Sequence, residues 1–310
     1  MSVISVENLT KDYGSGRGVF GINLNVERGE VFGFLGPNGA GKSTTIRHLM
    51  GFSKPDSGNT YILGEPSFQK YYDFLSRVGY IPGEIALPQG LTGKQFIEMM
   101  QNLQKIKNKA RLDEMLDMFE LSSSALSGET KRMSLGVKRK LAVVTAFMHD
   151  PEVLILDEPT SGLDPLMQER FVRFIHEEKD RGKTILLSSH IFSEIDSTCD
   201  RIAIIKDGYI VSEFIADDLR HASTKFYSLK FGDEKSAEGF LADAGKIPSF
   251  TVLSRDGNRL EVSFSDENLN SAVKLLSAFG ATDFSNRGES LEDYFMKFYK
   301  EDKDFGEALK

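Results

Sequence analysis

The chain has 310 residues and carries 46 acidic and 38 basic side chains, which gives a net charge of −8. This length predicts about two domains, and the acidic balance argues against a protein devoted to sequence-independent nucleic-acid binding. The single cysteine, Cys199, excludes an intramolecular disulfide and any multi-cysteine metal site within the chain. The sequence has neither a signal peptide nor an apolar stretch of the roughly 18–20 residues that cross a bilayer. We therefore expect an acidic, soluble, intracellular protein with no nucleic-acid partner.

Strands dominate the beginning of the chain. The β-branched and aromatic runs Val3–Leu9, Val19–Val26 and Val31–Leu35 are separated by glycine-rich or charged turns. A glycine-rich turn and then a helical pattern at Lys42–Met50 follow the third run. The sequence thus predicts a strand, a glycine-rich turn and a helix in succession.

The middle of the chain has helical periodicity. Thr92 and Gln95 form a predicted capping box, which marks the start of a helix. Apolar side chains recur along one face of this helix and of the next one, namely Phe96, Met99, Met100 and Leu103, then Leu112, Met115, Leu116 and Phe119. Such spacing is typical of helices that pack on a core, so we expect the methionine and phenylalanine side chains to be buried.

Strands return after residue 150. Val153–Leu156 and Thr184–Ser188 are nearly continuous apolar runs, which indicate strands buried on both faces of a parallel sheet. Phe171–Glu178 between them has the periodicity of a crossover helix. Two further strands, predicted to form a hairpin around the turn Asp207-Gly208, are Ile202–Lys206 and Tyr209–Phe214. The expected fold class is therefore α/β, with a mixed sheet and a helical insertion.

A change of composition at Ala216–Ser223 marks a domain boundary, because polar and charged residues replace the apolar runs. The strands predicted beyond it are Phe226–Phe231, Phe250–Ser254, Leu260–Phe264 and Thr282–Phe284, and the helices are Ser236–Ala244, Leu269–Phe279 and Leu291–Tyr299. The order β-α-β-β-α-β suggests a small α+β module of the ferredoxin-like type. We predict a first domain at residues 1–216, with a helical part at about 84–150, and an accessory module at 217–310.

A phosphate loop is the most specific motif of the sequence. Residues 36–44, GPNGAGKST, match G-x-x-x-x-G-K-[ST] and lie between a predicted strand and a predicted helix, as such a loop requires. Backbone N–H groups in such a loop surround a phosphate, and the helix N-terminus adds positive potential. Lys42 then reaches the β- and γ-phosphates, and the Ser43 hydroxyl can bind Mg²⁺. The predicted nucleotide contacts of the loop are Gly36, Asn38, Gly39, Gly41, Lys42, Ser43 and Thr44.

Two adjacent carboxylates follow the apolar strand that ends at residue 156. In P-loop proteins an acidic residue at this position holds Mg²⁺, and Asp157 suits that role. Glu158 is next along the chain and points elsewhere, so it can polarise an attacking water. The alternative is that one of the two carboxylates only caps the turn that follows.

With their neighbours, these motifs resemble the ATP-binding cassette (ABC) ATPases over nearly all of residues 1–215. Ser161–Asp164 resembles the D-loop of that family, His190 its switch histidine, and Tyr13 the aromatic residue that stacks on adenine. The resemblance implies a P-loop NTPase core that binds ATP with Mg²⁺. It also implies that Glu158, His190 and Lys42 carry the hydrolysis.

Residues 133–138, MSLGVK, resemble the signature of the family, usually LSGGQ, but depart from it at Leu135 and Val137-Lys138. Ser134 and Gly136 keep the hydroxyl and the bare backbone N–H groups that a γ-phosphate needs. In the family this segment acts on nucleotide bound by the opposite subunit. The resemblance therefore implies a homodimer, or a dimer with a closely related second ATPase subunit, and includes Asp164 among the nucleotide contacts.

Two further segments concern the predicted Mg²⁺ site and the exposure of a basic helix face. The family has a glutamine after the strand that Val78–Ile81 resembles, whereas this chain has Gly83-Glu84. Either Glu84 takes over the role of the glutamine or the coupling to the metal is weaker at this site. The basic run Lys138-Arg139-Lys140 has no interleaved aromatic residues, so we predict a solvated helix face.

The Ser-Leu-Gly signature, the Gly83-Glu84 replacement and the segment Ser290–Phe295 resemble the ATPase subunits of the ABC-2 group, which includes bacitracin- and daunorubicin-type export systems. This implies an ABC-2-type membrane permease as partner, and a place on the inner face of the cell membrane. The leading hypothesis is an ATP-hydrolysing motor subunit for export. The alternatives are a soluble cassette ATPase without a transporter and a nucleotide sensor of low turnover. A monomeric P-loop GTPase is disfavoured because the sequence has no Asn-Lys-x-Asp motif.

Overall fold

The structure is a computed structural model that describes residues 2–220, 224–286 and 291–300. The chain forms two compact units, Met1–Ile215 and Ala216–Lys310. Ser223, the last residue of the predicted boundary, and Ser290, the first of the predicted C-terminal motif, lie outside the described residues. Within the described ranges, no helix has both the length and the apolar character that a membrane span requires.

The first unit alternates strands and helices, with a run of helices in its middle. In chain order its elements are β1 (Ser2–Asp12), β2 (Gly18–Glu27), β3 (Val31–Leu35), α1 (Lys42–Leu49), β4 (Ser57–Ile62), β5 (Glu65–Pro66), α2 (Ser67–Phe74), β6 (Val78–Ile81), α3 (Gly93–Gln104), α4 (Lys109–Met118), α5 (Ser123–Ser127), α6 (Leu135–Phe147), β7 (Val153–Asp157), α7 (Pro165–Asp180), β8 (Thr184–Ser189), α8 (Phe192–Thr198), β9 (Arg201–Lys206) and β10 (Tyr209–Ile215). Helix α7 is twice as long as predicted, because Asp164 caps it and Pro165 opens its first turn.

A six-stranded mixed sheet forms the centre of this unit, in the order β10-β9-β3-β8-β7-β6. Neighbouring strands are parallel from β9 to β6, and only β10 runs antiparallel, as the edge partner of β9. Strands β7 and β8 are buried along their whole length, as their continuous apolar runs predict. Because the strands are parallel, the loops after β3, β7 and β8 meet at one edge of the sheet.

A second, antiparallel sheet in the order β2-β1-β4-β5 packs with the first around a shared apolar core. Phe32 and Phe34 of β3 and Ile46 of α1 are fully buried in that core. Helix α1, which follows the phosphate loop, is therefore anchored between the two sheets. The prediction of an α/β core with a mixed sheet is confirmed.

The helices of the middle region follow the predicted periodicity only in part. The capping box of Thr92 and Gln95 is present at the start of α3. Met115 and Phe119 are fully buried, but Met100 is only half-buried and Leu103 is 69% exposed. The burial expected for this end of α3 is thus wrong, because its apolar face borders a groove of the surface.

The second unit has the predicted order β-α-β-β-α-β after one short helix. Its elements are α9 (Ala216–Arg220), β11 (Thr224–Phe231), α10 (Glu234–Ala244), β12 (Thr251–Asp256), β13 (Arg259–Ser265), α11 (Leu269–Ala278), β14 (Ala281–Asn286) and α12 (Leu291–Lys300). The strands form an antiparallel sheet in the order β12-β13-β11-β14. Its core contains Phe231, Phe240 and Phe264. The ferredoxin-like assignment stays a prediction.

Candidate functional site

The phosphate loop joins the end of β3 to the start of α1. Its first N–H group, that of Gly36, donates to the carbonyl of Ser189 at 3.4 Å, which ties the loop to the end of β8. Gly41 has a φ of +114°, and a Cβ there would lie 2.7 Å from a methyl group of Val19. Only glycine fits both the backbone and the space at this position. The loop is therefore a fixed cradle rather than a free turn.

Lys42 is held inside this cradle. Its side chain is only 4% exposed, and its ammonium donates to the carbonyls of Gly36 at 2.6 Å and Pro37 at 3.1 Å. The same nitrogen lies 3.2 Å from Oε1 of Glu158. The ammonium therefore has two hydrogen bonds to backbone carbonyls and an ion pair with Glu158. The charge of Lys42 is thus fixed at the position where a phosphate would enter the loop.

The end of β7 holds the two predicted carboxylates in different surroundings. Asp157 is buried, and its Oδ1 accepts a hydrogen bond from the Ser188 hydroxyl at 2.5 Å. Glu158 has a φ of +48°, so its backbone is left-handed, which is unfavourable for a residue with a Cβ. Its N–H group donates to the carbonyl of Ser188 at 3.0 Å, which holds this conformation. Backbone strain of this kind is concentrated at functional sites.

His190 follows β8 and completes the cluster. Its Nδ1 lies 3.2 Å from Oε2 of Glu158, and its side chain is 44% exposed. Glu158 therefore lies between Lys42 on one side and His190 on the other. The structure thus brings together the three residues that the sequence predicts to be catalytic.

Glu194 is a buried acid beside this cluster that sequence reasoning missed. Its side chain is 5% exposed and accepts a hydrogen bond from the Ser189 hydroxyl at 2.6 Å. Burial raises the pKa of this carboxyl, against the hydrogen bonds from Ser189 and Thr160. Glu194 thus stabilises the end of β8, next to His190. An acidic residue in a short polar helix gives no sequence signal of burial.

The signature segment lies at the start of α6 and forms a second cluster with the D-loop. The Ser134 hydroxyl caps α6 by accepting from the N–H group of Val137 at 3.3 Å. Ser134 is exposed, and the neighbouring Leu135 is 56% exposed. The carbonyl of Gly162 lies 3.2 Å from the position that a Cβ of Gly136 would take. The signature and the D-loop of one chain are therefore in direct contact.

The remaining predicted nucleotide contacts are Asp164 and Tyr13. The carboxylate of Asp164 caps α7, since it accepts from the N–H group of Met167 at 3.0 Å. Tyr13 follows β1 and is 57% exposed, with the ammonium of Lys11 5.8 Å from the centre of its ring. An exposed ring of this kind is available for stacking.

Gly83 lies directly against the carboxylate of Asp157. A Cβ at this position would be 2.9 Å from Oδ2 of Asp157, so no side chain fits without a shift. Glu84, the next residue, is exposed. The backbone of Gly83 therefore lies beside the predicted metal-binding carboxylate, whereas the Glu84 side chain is turned to the surface.

Arg139 corrects the prediction for the basic run of α6. Its side chain is only 2% exposed, although its neighbours Lys138 and Lys140 are half-buried. The guanidinium donates to three backbone carbonyls, those of Ser161 at 2.9 Å, Pro82 at 2.9 Å and Gly83 at 2.7 Å. The prediction of a solvated helix face is wrong at this position, because the partners are backbone atoms that no sequence pattern marks.

Ser43 and Asp157 carry hydroxyl and carboxylate oxygens, which are the kinds of ligand that Mg²⁺ prefers. Ser43 belongs to the first turn of α1, and Asp157 lies at the same edge of the sheet. Among the described residues, no group of three or more histidine, cysteine, aspartate or glutamate side chains could hold a metal ion. Mg²⁺ often takes only one or two protein ligands and completes its shell with phosphates and water.

Comparison with known proteins agrees with this geometry. A family profile described as ABC transporter matches residues 19–161. The chain is 35% identical over 301 residues to the bacitracin transport ATP-binding protein BcrA of Bacillus licheniformis, covering 96% of this chain and 97% of that protein. The chain belongs to the ATP-binding proteins of ABC transporters. As an ABC ATPase it binds ATP and hydrolyses it.

Two further matches extend the comparison of this ABC ATPase. It is 31% identical over 322 residues to the daunorubicin resistance ATP-binding protein DrrA3 of Streptomyces coeruleorubidus, covering 99% of each chain. A solved ATP-binding subunit of an ABC transporter is 30% identical, with a TM-score of 0.64, and covers 71% of this chain and 92% of that one. The predicted resemblance to bacitracin- and daunorubicin-type ATP-binding proteins is confirmed.

Proposed function

We propose that this chain is the motor subunit of an export transporter, in which two ATPase subunits close on two ATP molecules and drive a separate ABC-2-type permease. The second ATPase subunit is another copy of the chain or a closely related one. The observation that carries the proposal is the full-length similarity to ATP-binding proteins named for bacitracin transport and daunorubicin resistance. That similarity includes the second unit, which a match to the cassette alone would leave out.

In the proposed reaction the phosphate loop binds the β- and γ-phosphates, with Lys42 as the cation beside them. Glu158 orients the water that attacks the γ-phosphate, because its carboxylate is held at the mouth of the loop. His190 donates to the γ-phosphate from the other side of Glu158. Tyr13 supplies an exposed ring for the adenine base.

Ser43 and Asp157 are the residues that would hold Mg²⁺. A bound ion would neutralise the charge that develops on the phosphate oxygens during transfer. The hydrogen bond from Ser188 fixes the orientation of the Asp157 carboxylate, so that its other oxygen is available. The contribution of this chain is therefore a buried, oriented carboxylate beside a helix N-terminus.

The exposure of the signature segment and the D-loop supports a dimer. The hydroxyl of Ser134 and the backbone of Gly136 lie at the exposed start of α6, next to the D-loop with Asp164. A helix N-terminus of this kind favours an anion. We propose that it binds the γ-phosphate of ATP held by the facing subunit, which makes each site composite.

The permease is proposed to dock in an apolar groove beside α2 and α3. The groove has a volume of about 530 Å³ and is lined in part by Phe52, Tyr72 and Leu103, which are 59%, 64% and 69% exposed. Exposed aromatic and apolar side chains grouped in this way are typical of a protein interface. A helix of the permease on the inner face of the membrane fits this groove and would place the chain there as a peripheral subunit.

The test uses the double variant Tyr72→Glu/Leu103→Glu. We expect it to lose co-purification with a co-expressed, detergent-solubilised ABC-2-type permease by at least tenfold, because two charges would have to be buried. Ile215→Glu is the control, since it replaces an apolar side chain of similar exposure outside the groove. Melting temperatures show whether the variants fold.

Two outcomes oppose the proposal. If no membrane protein co-purifies with the unaltered chain, a soluble cassette ATPase without a transporter is favoured. If a membrane protein binds but the complex hydrolyses ATP no faster than the background, the low-turnover sensor is favoured instead.

A further inference from the structure

Arg139 is a buried charge whose partners are all backbone atoms. Its three hydrogen bonds reach two separate loops, the one after β6 at Pro82 and Gly83 and the D-loop at Ser161. Burial lowers the pKa of the guanidinium, while the charges of Glu158 and Asp157 act to raise it. A charge is stable in such a place only when its donors are satisfied, which this geometry achieves.

The hydrogen bond to Gly83 connects Arg139 with Asp157. The carbonyl of Gly83 accepts from Arg139 at 2.7 Å, and the Cα of the same residue lies against the Asp157 carboxylate. The position of Gly83 therefore limits where that carboxylate can move. Because glycine has no side chain, the backbone is the only part of residue 83 through which other groups can hold it.

The hydrogen bond to Ser161 connects Arg139 with Glu158. The carbonyl of Ser161 accepts from Arg139 at 2.9 Å, and the N–H group of Ser161 donates to the carbonyl of Glu158 at 3.2 Å. This second hydrogen bond closes the turn that holds Glu158 in its left-handed conformation. Arg139 therefore stabilises the turn through its hydrogen bond to Ser161.

We propose that Arg139 is a positioning residue for ATP hydrolysis, which fixes Asp157 and Glu158 through the loops that contact them. The planar guanidinium of arginine has five N–H donors and can bind three carbonyls at once. A lysine ammonium is compact and cannot reproduce this geometry. The inference rests on the catalytic roles proposed above for the two carboxylates, and it does not depend on the permease.

The test compares Arg139→Lys with the matched control Arg170→Lys. Arg170 also binds a carbonyl, that of Met118 at 3.4 Å, and pairs with Glu120 at 2.7 Å, outside the site. For Arg139→Lys we expect kcat to fall at least tenfold, while the Kd for a fluorescent ATP analogue changes less than twofold. Amide hydrogen exchange should become faster at residues 83–84 and 161–163. Arg170→Lys should leave all three measurements unchanged.

Three outcomes would overturn the inference. They are normal turnover in Arg139→Lys, unchanged exchange in the two loops, and a joint loss of affinity and kcat with faster exchange throughout both sheets. If Arg139→Lys does not fold, Arg139→Gln provides the same comparison, because its amide keeps donors without a buried charge. An error in the role of Glu158 would be seen separately, as normal turnover in Glu158→Gln, a variant that keeps Arg139.

Discussion

The two clusters that are proposed to bind ATP differ in how far they are completed within one chain. In the phosphate-loop cluster, Lys42 is 4% exposed, donates to two backbone carbonyls of its own chain and pairs with the carboxylate of Glu158. In the signature cluster, Ser134 is exposed and Leu135 is 56% exposed. Both clusters contain a helix N-terminus, but only the first is surrounded by its own chain.

This difference separates two kinds of function. A cluster that is buried and internally bonded is preorganised, so changes in it should alter binding or chemistry directly. An exposed cluster becomes preorganised only when another surface covers it. Changes in the signature cluster should therefore affect hydrolysis but not the affinity of the single chain for ATP.

The largest expected effect is that of Glu158→Gln in the phosphate-loop cluster. We expect kcat to fall by about 10²–10⁴-fold, the usual contribution of a general base, while ATP still binds. The variant should accumulate as a closed dimer with ATP, which size-exclusion chromatography detects. Glu177→Gln, on the exposed face of α7, is the control. Turnover like that of the unaltered chain would remove Glu158 from its role.

Ser134→Ala tests the signature cluster and has a matched control in Ser122→Ala. Both serines cap a helix, accepting from Val137 at 3.3 Å and from Ala125 at 3.2 Å. Each variant should therefore lose about 1 kcal/mol of stability in a denaturant titration. Only Ser134→Ala should also reduce hydrolysis, by about tenfold, without a change in the ATP affinity of the isolated chain. Equal hydrolysis in the two variants would mean that Ser134 is only a helix cap.

The smallest effect concerns pH and the burial of α1, the helix behind the phosphate loop. His48 is 1% exposed, and its Nδ1 donates to the carbonyl of Ser53 at 2.8 Å. Burial lowers the pKa of this imidazole in the folded chain. The unfolded chain therefore takes up a proton first as pH falls below about 6.5, so stability present above that pH is lost as pH approaches the lowered folded value.

The corresponding measurement is the fall in melting temperature between pH 7.5 and 5.5. We expect the fall to be smaller in His48→Gln than in the unaltered chain, by about 2 °C. His176→Gln, which changes an exposed histidine of α7, should reproduce the unaltered fall. If the melting temperature of His48→Gln falls by the same amount as that of the unaltered chain, His48 does not contribute to the pH dependence.

The sequence predicted the parts of the site whose signals are local. The residues of the phosphate loop, the Asp157-Glu158 pair and His190 each follow a strand with a distinctive pattern. Arg139 was placed wrongly, because its partners at residues 82 and 83 lie 57 and 56 positions away and are carbonyls that every residue has. Leu103 shows a related limit: periodicity identifies an apolar face but not whether a core or a groove lies beside it.

The contact between Lys42 and Glu158 has a consequence for the order of events. A phosphate that enters the loop brings negative charge to an ammonium that already lies 3.2 Å from the Glu158 carboxylate. Because like charges repel, we expect phosphate binding to weaken the contact between Lys42 and Glu158. Lys42 therefore links nucleotide binding to the position of Glu158, the carboxylate proposed to orient the attacking water.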